Sequence, residues 1–234
     1  MPLHFPESEY TSRIKATQAE MRSRGLDVLL LFSPESQYYL TGYDTFGFAL
    51  FQCIVLPVDA PPHLLTRAPD LRQAQQTSTL DDDRIHIWID RQGVEPVTDL
   101  VNLLSDLGIT SGRVGVEQQT VGLTAWNGAK LATELKAFEQ HDASDLVQLL
   151  RRVKSPLEIE CTRKAATLSD AALDAGIAAT GAGAFEGDIL AEMQGAVFVV
   201  AVITPVTNLS SDQDKVHCCV DTFPADARST RLIN

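Results

Sequence analysis

The stretch Arg24-Gly-Leu-Asp-Val-Leu-Leu-Leu-Phe-Ser-Pro-Glu-Ser-Gln-Tyr-Tyr-Leu-Thr-Gly-Tyr43 decides the fold class. Its centre, Val28 to Phe32, is an unbroken apolar run, which suits a strand covered on both faces rather than one with a wet side. Ser33-Pro-Glu then reads as a helix start and Gly42 as its stop. Upstream, Glu9 to Arg24 places Tyr10, Ile14 and Met21 on one helical face, with Gly25 as terminator. Helix, buried strand and helix in immediate succession predict an α/β domain.

Working outward, strands are expected at Ala49–Leu56 and His63–Arg67, separated by a turn rich in Pro57, Pro61 and Pro62. Arg84 to Ile89 alternates, which would put Ile85, Ile87 and Ile89 on one face and His86 with Arg84 and Trp88 on the other. A helix over Val94–Leu107, a strand over Arg113–Glu117, a helix over Leu123–Leu135 and a last strand over Ala137–His141 complete a mixed sheet flanked by helices. After Asp142 the pattern becomes almost purely helical. Asp145–Arg152 leads into Ser155-Pro-Leu-Glu158, where Ser155 suits the N-cap, Pro156 the first turn and Glu158 the reciprocal carboxylate. Cys161, Ala165, Leu168 and Ala172 keep to one face of the long helix that follows. Gly181 and Gly183 break it, and Ala184–Phe198 starts another.

The chain has 234 residues and a mean hydropathy of −0.01, ordinary for a globular protein with a sizeable core. Nineteen Lys and Arg against 31 Asp and Glu leave a net charge of −12, which disfavours a broad nucleic-acid surface. No apolar run approaches the length of a membrane span, and Met1 to Tyr10 lacks the basic-then-apolar order of a signal peptide. Four cysteines without regular spacing make no disulfide framework, so a cytoplasmic location is expected, with no membrane and no nucleic acid as partner.

Three motifs, in this order, carry a resemblance to a known family. They are Arg24-Gly-Leu-Asp-Val-Leu-Leu-Leu, Ser33-Pro-Glu-Ser-Gln-Tyr-Tyr-Leu-Thr-Gly-Tyr43, and Arg152-Val-Lys-Ser-Pro-Leu-Glu-Ile-Glu160. Over residues 9–198 the chain resembles the creatinase, aminopeptidase P and prolidase family of pita-bread hydrolases. The resemblance implies a creatinase-type N-terminal domain with a ribonuclease H-like mixed sheet over residues 1–150. It implies the first helices of a truncated pita-bread catalytic domain over residues 151–198. In that family two divalent metals, Mn or Zn, are held by two Asp, one His and two Glu of the catalytic domain, or dispensed with in the creatinase branch. Those ligands all fall beyond the point corresponding to Phe198, so no catalytic residue, no metal ligand and no cofactor is expected in this chain. Relatives form homodimers in which the N-terminal domain leans over the partner's active site. By that resemblance Tyr43 and Phe46, in Tyr43-Asp-Thr-Phe46, and Arg67 at a strand end become candidates for a substrate rim. Local packing of the two aromatics and a solvated arginine is the alternative.

Residues 199–234 do not resemble the family. Synonymous codons shifted by one base open a frame with a Gly-rich turn and an apolar strand, so a single-base deletion at the Phe198 boundary is one expectation. A buried strand over Val199–Val206 is the other. Elsewhere the chemical signals are weak. His86 reads as a packed or half-exposed strand residue, and the other histidines form no ligand pattern. Asp81-Asp-Asp83 reads as a solvated turn. Gly181-Ala-Gly183 follows a helix rather than a strand and so lacks the phosphate-cradling geometry. Cys218-Cys219 has no second pair for zinc, and no Gly-x-Ser-x-Gly elbow is present. The expected parent activity is hydrolysis of a C–N bond next to proline or in a similar small substrate, with this chain inactive alone. The alternative is a non-catalytic creatinase-like binding or dimerisation module.

Overall fold

The protein is described from a computed structural model, which covers residues 3–45, 47 and 49–203. The chain divides into two compact units, Met1–Val153 and Lys154–Asn234.

In the first unit, α1 (Glu7–Arg24) ends where Gly25 adopts φ 69°, a left-handed conformation that glycine enters without a Cβ penalty. The Gly25 N–H donates to the Arg22 carbonyl and the Leu26 N–H to that of Met21, closing the helix with its last carbonyls satisfied. The buried face of α1 is Tyr10, Arg13, Thr17 and Met21. Arg13 is tolerated there because its guanidinium lies over the Phe5 and Tyr39 rings at 4.3 and 4.5 Å and pairs with Glu9 at 3.2 Å. The strand β1 (Val28–Leu31) follows, with all four residues buried as the apolar run requires. Next come α2 (Pro34–Thr41), β2 (Cys53–Pro57) and β3 (His63–Arg67). They are followed by a 3₁₀ turn at Ala68–Asp70, α3 (Leu71–Thr77) and β4 (Ile85–Trp88). The unit closes with α4 (Pro96–Asp106), β5 (Gly112–Val116), α5 (Ala125–Glu134), β6 (Phe138–Asp142) and α6 (Leu146–Arg152).

The sheet order is β4-β3-β2-β1-β5-β6. Only β2 runs against the others: it is antiparallel to β1 and β3, whereas β1 with β5, β5 with β6, and β3 with β4 are parallel. Alternation along β1 divides the core. Val28, Leu30 and Phe32 face α4 and α5, among Val97, Leu100, Leu104 and Leu131. Leu29 and Leu31 face the opposite layer, among Met21, Leu40, Ala74, Leu146 and Val147. Each fully buried leucine contributes about 1.5–3 kcal/mol through apolar surface removed from water. The expected mixed α/β sheet flanked by helices is therefore the observed architecture.

Two local expectations are corrected, and one helix was not anticipated. The strand expected from Ala49 begins at Cys53, because Leu50 N–H bonds the Gly47 carbonyl and Ala49–Leu50 turn instead. The helix α3 was not legible, since only Ala74 of its seven residues is buried and apolar periodicity is absent. Along β4 (Ile85–Trp88) the expected alternation holds, with Ile85 and Ile87 in one layer and Trp88 in the other, but Ile89 lies past the strand end and is 56 % exposed. The strand stops at Trp88, whose indole N–H donates to the Phe51 carbonyl at 2.9 Å.

The second unit is a helical hairpin, α7 (Pro156–Ala179) and α8 (Glu186–Ile203). The expected capping box forms: Glu158 N–H donates to Ser155 Oγ at 3.2 Å and Ser155 N–H to Glu158 Oε2 at 2.8 Å. Gly176 permits close approach of the helices, since a Cβ there would stand 2.9 Å from Met193 Cγ. Of the expected face, Cys161, Leu168 and Ala172 are half-buried and Ala165 is exposed. Residues 199–203 are helical, which overturns a strand over Val199–Val206 across those five positions. The rest of the tail lies outside the described residues. No helix among the described residues is long and apolar enough to cross a membrane.

Candidate functional site

Because β1, β3, β4, β5 and β6 share one direction, their carboxyl ends lie along one edge of the sheet, where β2 begins. Open α/β sheets bind ligands at such an edge, in the crevice where neighbouring connections leave for opposite faces. Here the division falls between β1 and β5. The chain after β1 enters α2, whose Leu40 packs in one layer, while the chain after β5 enters α5, whose Leu131 packs in the other.

A cavity of 510 Å³ opens there, lined by Ser33 and Glu35 after β1, Gln119, Thr120 and Val121 after β5, and Gln148 and Arg151 of α6. Glu117 lies beside this cavity at the end of β5, with 1 % exposure. It accepts hydrogen bonds from Phe32 N–H at 2.9 Å, Ser33 N–H at 2.7 Å and Ser36 Oγ at 2.6 Å, tying β5 to the first turn of α2. Burial pushes its carboxyl above the ordinary value, outweighing those three bonds, with Glu35 adding to the rise. Glu35 itself is held below its ordinary value, first by a hydrogen bond from the Ser33 hydroxyl and further by the charge of Arg151. Across the cleft, Ser144 Oγ accepts from the Gln118 and Gln119 N–H groups, both at 2.9 Å. Gly122 brings the second wall close: a Cβ there would lie 2.1 Å from the Phe32 carbonyl oxygen.

The second cluster on this edge contains two expected rim residues. Arg67, at the end of β3, is half-buried and donates to Asp70 at 3.0 Å, with Asp90 at 3.6 Å. Asp70 also accepts from Gln52 Nε2 at 3.1 Å. Gln37 links this cluster toward β1, donating to the carbonyls of Leu31 and Gln52. Tyr43 is 0 % exposed, with its hydroxyl 3.1 Å from Thr66 Oγ1, so it props the rim from beneath instead of facing solvent. Phe46 lies outside the described residues. Arg67 and Tyr43 are thus joined through adjacent β3 positions, while Glu117, Glu35 and Arg151 were read from the sequence only as parts of a strand or helix and not as site residues.

His86 is half-buried and its Nε2 lies 3.1 Å from Nδ1 of His63 on the neighbouring strand, a pairing of residues 23 apart in sequence. Asp82 accepts from Gln75 and Asp81 pairs with Arg84, consistent with a solvated turn. Among the described residues no group of three or more His, Cys, Asp or Glu is placed to hold a metal ion. The donor sets present therefore do not fit a two-metal centre, and no chemical step follows from one.

A six-stranded mixed sheet with one reversed strand and helices on both faces defines the fold class, that of a creatinase-type N-terminal domain. The chain belongs to the Creatinase/Prolidase N-terminal domain family, which its residues 13–153 match. It is 34% identical over 168 residues to the ectoine hydrolase of Halomonas elongata, covering 70% of this chain and 42% of that protein. An uncharacterized hydrolase/peptidase of Sinorhizobium fredii is 28% identical over 194 residues, covering 81% of this chain and 50% of that one. The chain thus spans about half the length of the curated relatives it matches. Among solved structures, the prolidase from Thermococcus sibiricus superposes with a TM-score of 0.66 at 17% identity, over 80% of this chain and 49% of that one. The Xaa-Pro dipeptidase from Bacillus anthracis superposes at 0.64 and 19%, over 82% and 49%. These two share the fold.

Proposed function

We propose that this chain is the non-catalytic, substrate-flanking part of a hydrolase that cleaves a C–N bond in a small substrate. The observation that carries this reading is the 34% identity to an ectoine hydrolase, which supports ectoine over Xaa-Pro dipeptides as the proposed substrate. The fold likeness to Xaa-Pro peptidases supports the broader reaction class. In the intact enzyme, divalent metal, Mn or Zn, would supply a bound water of lowered pKa. The chain's own share is recognition: Arg67, fixed by Asp70 and Asp90 and propped by Tyr43, forms the rim offered to the partner's active site in a homodimer. By itself the 234-residue chain has no hydrolase activity.

The test is a comparison of the purified chain with a chimera in which its residues 1–153 replace the matching part of the Halomonas elongata enzyme. Both are assayed with ectoine and with Xaa-Pro dipeptides in Mn and Zn. The expected result is turnover of ectoine by the chimera alone. Metal-dependent cleavage by the purified chain would sink the claim of inactivity. A folded chimera that cleaves only Xaa-Pro dipeptides would overturn the substrate. A folded, dimeric chimera that cleaves neither would favour a pure binding or dimerisation module.

A further inference from the structure

We propose that the crevice between the carboxyl ends of β1 and β5 is a binding site for a small zwitterion, an amino-acid-like molecule carrying both a carboxylate and an ammonium group. Its position comes from topology. The connections after these two parallel strands leave for opposite faces, and the resulting cleft of 510 Å³ falls within the range of small-molecule sites.

The ligand class comes from the lining. One wall carries the carboxylate of Glu35, in the first turn of α2. The last turn of α6 carries the guanidinium of Arg151, whose field reaches Glu35. A simple anion entering the cleft gains from Arg151 but meets Glu35, and a simple cation meets the reverse. A molecule bearing both charges satisfies each wall. Gln119, Thr120 and Gln148 supply neutral donors and acceptors for its polar body, and Val121 is the one apolar side chain in the lining. An ordered floor strengthens the case. Glu117 fixes the backbone at Phe32 and Ser33, and Ser144 fixes it at Gln118 and Gln119, so both loops are held before a ligand arrives. Little ordering entropy remains to be lost on binding.

The experiment follows backbone amide shifts of the full chain during titration with glycine, β-alanine and 4-aminobutyrate, zwitterions of rising length. Acetate and methylamine, the separate halves, are the controls. At least one zwitterion is expected to shift resonances of residues 33–35, 119–121 and 148–151 saturably, with each half about tenfold or more weaker. Glu35→Gln and Arg151→Gln are each expected to weaken that zwitterion by about tenfold. The proposal is overturned if no zwitterion moves these resonances at about 100 mM. It is equally overturned if acetate or methylamine binds as tightly as the best zwitterion. The ligand series is read on the unaltered chain, so a variant that fails to fold does not rescue it. Two folded variants that keep full affinity also sink it.

Discussion

Replacing Glu117 by alanine should cost the first unit about 2–4 kcal/mol. The side chain is 99 % buried and is the acceptor for two backbone N–H groups and the Ser36 hydroxyl, at 2.9, 2.7 and 2.6 Å. Each buried donor left without a partner costs about 1–3 kcal/mol. Two effects reduce the sum: water can reach the half-buried Ser33, and a desolvated charge is removed. Glu117→Gln keeps an acceptor oxygen for the two N–H groups and turns its amide toward Ser36 Oγ, so its loss should stay below about 1 kcal/mol. The sign with pH separates the two effects. A carboxyl raised in the folded state binds its proton more readily there than in the unfolded chain. Its contribution is therefore complete below the ordinary value of 4.5 and is lost as pH climbs through the raised one. The unaltered chain should gain stability relative to Glu117→Gln as pH falls from neutrality toward 4.5. Urea unfolding followed by tryptophan fluorescence reads this, since Trp88 and Trp126 both lie in the first unit. An alanine variant within about 0.5 kcal/mol of the original would refute the reasoning. So would a glutamine variant as unstable as the alanine one.

Three further outcomes are expected. Gly122→Ala should destabilise the first unit by about 1–3 kcal/mol, because its Cβ must push the loop after β5 away from Phe32; unchanged urea midpoints would contradict that contact. Ser155→Ala should cost α7 about 0.5–2 kcal/mol by leaving the Glu158 N–H uncapped, which hydrogen exchange in the first turn of α7 measures against Ser155→Thr as the conservative control. Burial depresses both His63 and His86 below 6.5, His63 also through the charge of its neighbour, so the unfolded chain takes up protons first. Stability should fall as pH drops through 6.5, and His63→Gln or His86→Gln should flatten that slope in urea midpoints taken at successive pH values.

What was legible from the sequence was local. The run Val28–Phe32 announced a strand covered on both faces, Gly25 a helix stop, and Ser155 with Glu158 a capping box; each rests on residues within one turn or one strand. The mixed sheet with flanking helices followed from their alternation. Other features escaped because their causes are distant or quiet. Glu117 looks like the polar end of a strand until β5 lies beside β1, which brings it to Phe32 across 85 positions. The crevice needs two loops separated by a similar interval, and nothing in either loop alone marks a cavity. The helix α3 fully buries a single residue, Ala74, too little to print a periodicity. For Tyr43 the sequence left both a rim position and local packing open, and only the tertiary structure shows its ring buried, with the hydroxyl against Thr66.

The two edges of β1 also set an order of events. On one side Leu31 pairs with Ile54, on the other Leu30 pairs with Val116. Closing the longer loop costs about 1 kcal/mol more in chain entropy, and non-local ladders form later during folding. The β1–β2–β3 meander can thus assemble while the remainder of the domain is still being synthesised, with one side of β1 waiting for β5. The crevice exists only once that second ladder is in place. Occupation by a ligand would then stabilise the finished domain over its half-built precursor, making the last folding step the one a small molecule can pull forward.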